Sequence, residues 1–175
     1  IDLELFPMRE ESPSTFNFLF VGRFASNKGI ANLLSVSAQL IEEGYSFKLN
    51  LIGKGPLYEE LVSEYGQLNW VKFHGFAPDD DIASAYRQCS VFVLPTLFEG
   101  MPTVVLEAMA SGAPIIVSDV GACREMVGED NGWVIEPGNN GSLYHAMKGS
   151  LSESNLEAKG ECSMQKSRKF IWSEV

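Results

Sequence analysis

Apolar residues along this chain fall into short dense runs and longer spaced stretches, and the two kinds alternate. The run FNFLFVG (16–22) is almost continuously apolar, as in a strand buried on both faces. From Gly29 to Gly44 the apolar positions Ile30, Leu33, Leu34, Val36, Leu40 and Ile41 share one broad helical face, and Gly44 suits the stop. The pattern then repeats in kind. It predicts strands at 47–52, 70–74, 91–94, 114–118 and 132–135. It predicts helices at 57–65, 79–88, 103–110, 123–127, 139–151 and 156–170. Apolar strands alternating with helices predict an α/β fold with a doubly wound, Rossmann-like parallel sheet. Residues 1–15 are polar, contain two prolines and read as a lead-in or interdomain segment, leaving 16–175 as one domain.

Composition narrows this picture. With 175 residues, 45% of them hydrophobic, the chain can bury a single core. Thirteen Lys and Arg against 23 Asp and Glu give a net charge of −10, which excludes the basic face of a duplex binder. No apolar run reaches the roughly 18–20 residues needed to cross a bilayer. No signal-peptide pattern opens the chain, and it begins with Ile rather than Met, leaving room for a start further upstream. Cys89, Cys123 and Cys162 are odd in number and widely spaced. They form no metal or redox pair and read as free thiols of a reducing, cytoplasmic compartment.

In a doubly wound sheet, ligands sit beyond the carboxyl ends of the strands, so the residues that follow each strand are the informative ones. After the first strand come Gly22, Arg23 and Lys28, with Ser26 or Asn27 placed to cap the next helix. No Asp or Glu occurs from Ser12 to Ile41, so two cations and a helix start form a candidate anion site in an acidic chain. Read blandly, they are two solvated surface cations. The second strand leads into Gly53-Lys54-Gly55-Pro56-Leu57-Tyr58, which starts like a dinucleotide fingerprint but lacks its third glycine. No P-loop is present, so nicotinamide, flavin and nucleoside-triphosphatase readings are disfavoured. The turn is either simply tight or open to a nucleoside.

After the fourth strand the stretch Glu99-Gly100-Met101-Pro102-Thr103 leads into a helix that carries Glu107. Gly100 permits close approach, and the first amides of the helix point outward. Glu107 leans back toward that end, and with Glu99 it offers two carboxylates to sugar or ribose hydroxyls. Read structurally, Glu107 serves the helix dipole and Glu99 is a loop acid. Asp79, Asp80 and Asp81 follow Pro78 and read as a helix start rather than a metal site.

These residues resemble glycosyltransferase family 4, retaining enzymes of the GT-B fold. EGMPTVVLEAMASGAPIIVSDVGACREMV is similar to that family's E-x7-E region. VGRFASNKG, LIGKGPLYEEL and VKFHGF resemble its V-G-R-x-x-x-x-K-G, I-G-x-G-P and V-x-F-x-G segments. IDLELF and FIWSEV resemble the lead-in from an N-terminal domain and the closing F-S-W end. The resemblance implies a donor-binding C-terminal domain whose N-terminal acceptor domain lies outside this chain. It implies that Arg23 and Lys28 hold the donor diphosphate, that Glu107 binds the ribose hydroxyls and that Glu99 faces the donor sugar. Catalysis would rest on Arg23, Lys28 and Glu99. Gly100, Met101, Pro102 and Thr103 would line the β-phosphate and sugar, Gly53 and Phe76 the base, and Gly22 would belong to the same donor site. Met101 departs from a more frequent Phe or Leu, and Pro102-Thr103 from a Gly-containing continuation.

The implied partner is a nucleoside-diphosphate sugar, with UDP and GDP the common bases. No cofactor and no metal are implied, because the cations supply the charge. The full-length enzyme is expected at the cytoplasmic side, including its membrane face. The alternatives are a non-catalytic nucleotide-binding module and a glycoside hydrolase using Glu99 and Glu107. The Lys28 and Glu99 pair argues against the first, and a cationic pair has no task in the second.

Overall fold

The computed structural model describes residues 5–7, 9, 11 and 13–170; the readings of 1–4 and of the closing segment beyond 170 lie outside the described residues. Six strands form one parallel sheet: β1 (Asn17–Val21), β2 (Lys48–Ile52), β3 (Val71–Gly75), β4 (Val91–Leu94), β5 (Ile115–Ser118) and β6 (Gly132–Ile135). Their order is β3-β2-β1-β4-β5-β6. Seven helices alternate with them: α1 (Ile30–Glu42), α2 (Tyr58–Tyr65), α3 (Asp79–Gln88), α4 (Thr103–Ala110), α5 (Cys123–Met126), α6 (Asn140–Leu151) and α7 (Leu156–Ser167). This is the predicted Rossmann-like, doubly wound α/β sheet. β1 lies between β2 and β4, so the chain leaves it in one direction and later returns to its other side. The switch point of the sheet, where such folds hold their ligands, therefore lies at the loops after β1 and β4.

The interior is built on those two central strands. Phe18, Phe20, Val91, Phe92 and Val93 are fully buried. Phe18 meets Phe16 and Phe47 edge-on, at ring separations of 5.0 and 5.1 Å. Coverage on both faces, expected of every strand, stops at the β3 edge, where Lys72 and His74 are exposed between buried Val71 and Gly75. A charged Lys72 on an outer strand discourages edge pairing with other chains. His74 Nε2 lies 2.9 Å from Asn50 Oδ1, a cross-strand structural contact.

The start of α1 differs from the sequence reading. Neither Ser26 nor Asn27 caps it. Both belong to a 3₁₀ turn, Ser26–Lys28, and α1 begins after Gly29 at φ +69°. A Cβ on Gly29 would overlap the Pro95 carbonyl. The helix thus starts against the end of β4, which brings the β1 and β4 loops together.

Part of the lead-in segment packs on the domain. Arg9 donates from Nη1 to the Cys89 carbonyl (2.8 Å) and from Nε to the Gly112 carbonyl (3.2 Å), tying together the ends of α3 and α4. Phe6 lies edge-on to Tyr86 at 5.9 Å. Burial of the Arg9 guanidinium pulls its pKa below the ordinary value, with the neighbouring Cys89 and Glu157 opposing the shift.

Candidate functional site

The loops after β1 and β4 meet at the crevice and are fastened to each other through backbone. The Leu97 amide donates to the Asn27 carbonyl at 2.8 Å. The buried Thr96 hydroxyl lies 3.1 Å from that same carbonyl and 2.9 Å from that of Phe98. Lys28 then donates from Nζ to Glu99 Oε1, and this ion pair bridges the two loops. Its side chains retain only 23% and 14% of their exposure, so water screens the pair less than an ordinary surface bridge. Arg23 is exposed and makes no side-chain hydrogen bond or ion pair among the described residues.

A third loop holds Glu99 and Gly100 from behind. Gly121, at φ +52°, packs so closely that a Cβ would overlap the carbonyls of Glu99 and Gly100. The Ala122 amide donates to the Gly100 carbonyl at 2.9 Å. The other side of Gly100 faces open space, with no atom within 4 Å of where a Cβ would stand. Pro102 is buried at the start of α4, and its carbonyl accepts from Val105 at 3.1 Å. The amides of Thr103 and Val104 make no hydrogen bond among the described residues and carry the positive end of the helix. Met101 and Thr103 are exposed beside them.

Glu107 sits one turn inside α4 and is partly buried. Its Oε2 accepts a 2.8 Å hydrogen bond from the hydroxyl of Tyr86, itself fully buried on α3. Burial holds the Glu107 carboxyl above the usual carboxylate range; the Tyr86 hydroxyl opposes that shift and the Asp79 charge adds to it. Burial, reinforced by the Glu107 charge, keeps the Tyr86 hydroxyl protonated well beyond its ordinary range. Cys123, behind the Glu99 loop, is pushed up to about 11, mainly by burial and secondarily by the Glu99 charge, so it stays a neutral thiol.

Gly22, Arg23, Lys28 and the run from Glu99 to Thr103 thus gather at one crevice, with Glu107 just below it. Phe76 lies apart, at the end of β3, while Gly53, at the end of β2, packs against Gly22. Gly53, at φ +135°, owes its lack of a side chain to protein backbone, because a Cβ would overlap the Gly22 carbonyl. Its amide donates to the Gly75 carbonyl at 2.8 Å. Phe76 is 84% exposed on the outermost strand end. Tyr86, Thr96 and Gly121 escaped the sequence reading. Only Tyr86 left a signal there, since a tyrosine on the buried face of a helix needs a partner for its hydroxyl. Among the described residues no three His, Cys, Asp or Glu side chains cluster as metal ligands. No described helix is long and apolar enough to cross a membrane.

Residues 15–153 match the family described as glycosyl transferases group 1. The chain belongs to that family. An uncharacterized glycosyltransferase of Methanocaldococcus jannaschii is 34% identical over 77% of this chain and 35% of its own length. O-antigen chain mannosyltransferase B of Escherichia coli is 28% identical over 88% of this chain and 42% of its own. This group 1 domain therefore spans less than half of either curated relative. Among solved structures, sucrose-phosphate synthase from Thermosynechococcus elongatus superposes with a TM-score of 0.84 at 26% identity, covering 97% of this chain and 46% of that one. The C-terminal domain of a group 1 family protein from Francisella tularensis gives a TM-score of 0.83 at 22% identity, covering 97% of both chains. The architecture is that of the C-terminal domain of a GT-B glycosyltransferase.

Proposed function

We propose that this chain is the donor-binding half of a retaining glycosyltransferase, and that a nucleoside-diphosphate sugar, UDP- or GDP-linked, occupies the β1/β4 crevice. The observation that carries this reading is the Lys28–Glu99 pair spanning the crevice, beside an Arg23 and α4 amides that have no partner among the described residues. The rest of the enzyme, including the acceptor side, lies outside residues 1–175, and residues 1–15 lead in from it. The acceptor is a glycan, a lipid or a small molecule.

Each residue then has a task. Arg23, Lys28 and the amides of Thr103 and Val104 neutralise the diphosphate. When the bond from the anomeric carbon to the β-phosphate oxygen breaks, negative charge grows on that phosphate and positive charge on the sugar ring. Fixed cations and amides aimed at the phosphate stabilise this separation without reorganising. A phosphate that takes Lys28 releases Glu99, whose carboxylate is then free to accept hydrogen bonds from the donor sugar. Gly100 leaves room for the sugar, Met101 and Pro102 shape the loop around it, and Glu107 binds the ribose hydroxyls. Gly53 and Phe76 border the base, and Gly22 completes the donor site. The charge required is supplied by side chains and amides, with no metal.

Calorimetry with nucleoside diphosphates and bare nucleosides tests the reading. Arg23→Ala and Lys28→Ala should each weaken diphosphate binding by about 1.5–3 kcal/mol, the worth of a hydrogen bond to a charged group, and leave nucleoside binding nearly unchanged. Equal losses for both ligands would remove the diphosphate role.

A further inference from the structure

Tyr86 is a polar group where packing alone asks for a phenylalanine. Its ring is fully buried on α3, tilted against Phe92 at 5.7 Å and edge-on to Phe6 at 5.9 Å. A buried phenol must find an acceptor, and this one finds a single side chain, Glu107 Oε2 at 2.8 Å. The bond joins two helices through residues 21 apart in sequence. The other oxygen of Glu107 makes no hydrogen bond among the described residues. The carboxylate is therefore held by one oxygen and available through the other.

Glutamate has three rotatable side-chain bonds and spends entropy to hold one geometry. A carboxylate that accepts from two vicinal hydroxyls of a ribose must already stand in the right plane, or its ordering costs affinity. The Tyr86 hydroxyl is fixed by its aromatic neighbours and so fixes that plane. On the other side of Tyr86, Phe6 belongs to the lead-in arm, which Arg9 clamps to the ends of α3 and α4.

We propose that Tyr86, backed by Phe6 of the lead-in arm, is a positioning residue that orients the Glu107 carboxylate toward the ribose hydroxyls of the donor. The proposal rests on the reading of Glu107 given above. It adds a residue outside the crevice to the machinery that distinguishes ribose from deoxyribose.

The test measures binding of UDP and GDP, and of their 2′-deoxy and 3′-deoxy forms, to the chain and its variants. The parent chain should prefer the ribonucleotide by at least about tenfold, the lower end of the worth of one hydrogen bond to a charged group. Tyr86→Phe should cut that preference to within about threefold, by weakening the ribonucleotide while the deoxy forms bind as before. In a Glu107→Gln background the same substitution should change neither ligand further. A merely structural role would weaken all ligands alike and leave the ratio intact, and that result overturns the proposal. A parent chain that binds these nucleotides but does not discriminate overturns the Glu107 reading and this proposal together. Absence of any nucleotide binding overturns the donor reading itself. Phe6→Ala, which strips the arm's ring from Tyr86, should lower the ratio by a smaller factor. Should Tyr86→Phe not fold, an unchanged ratio in Phe6→Ala overturns the proposal.

Discussion

Glu107 shows how much one residue's chemistry depends on its surroundings. On α4 it could serve the helix dipole alone, as its sequence position allows. In the fold it is partly buried, and burial raises its pKa while Tyr86 opposes the rise. The folded state therefore holds this proton more tightly than the unfolded chain does. Between the two pKa values the native state binds more protons, so this group's contribution to stability rises as pH falls through that window and is lost as pH rises. Urea unfolding of the parent and of Glu107→Gln across mildly acidic pH should show it. The stability of the variant relative to the parent should be highest at neutral pH and shrink on acidification. The slope should stay well under about 1.4 kcal/mol per pH unit, because the carboxyl is partly solvated. A difference that grows on acidification would contradict the assignment. At the same scale, the positions of Arg23, Lys28, Glu99 and Glu107 were legible because strand ends are legible. Gly121 was not, since its need for glycine comes from the Glu99 and Gly100 carbonyls across space.

Elements were read almost to their observed bounds, because apolar runs of four to seven residues separated by helical stretches leave little freedom in a parallel sheet. The exceptions are instructive. Ser26 and Asn27 have the chemistry of caps, yet contact between Gly29 and the Pro95 carbonyl decides where α1 starts. Two helical glycines make the same point by prediction. Gly149 on α6 is exposed, and a Cβ there would come no closer than 4.0 Å to another residue, Trp133. Gly149→Ala should stabilise by about 0.5–1 kcal/mol, as helix propensity dictates. Gly160 on α7 is buried, and a Cβ would overlap the Gly112 carbonyl at the end of α4. Gly160→Ala should destabilise by about 1–3 kcal/mol despite the better propensity, because α7 must move away from α4. Thermal unfolding of the two variants reads both signs, and a shift of Gly160→Ala in the same direction as Gly149→Ala would deny the close contact.

At the scale of the whole molecule, the net charge of −10 coexists with an exposed Arg23 that has no acidic partner among the described residues, and no Asp or Glu occurs in the sequence from Ser12 to Ile41. The crevice is open above the β4 end, where Phe98 and Met101 are 75% and 49% exposed. On the proposed reading, a site built from one domain binds the donor and leaves the acceptor to the rest of the enzyme. The chain alone should bind nucleoside diphosphates weakly and transfer no sugar. Radiolabelled nucleotide sugar incubated with the chain and a mixed set of glycan and lipid acceptors should give no labelled product over many hours. Multiple turnover by the chain alone would show that one domain suffices.

By itself the sequence determined the alternation of strands and helices, the parallel sheet and the strand-end residues that carry charge. These follow from local periodicity and from the rule that such sheets present their carboxyl ends to ligands. Only the tertiary structure decided which of those charges face each other. Lys28 meets Glu99, and Glu107 meets Tyr86, across 71 and 21 residues. Partners so far apart are set by the order of the strands and by backbone contacts at Gly29 and Gly121, and no local pattern encodes them.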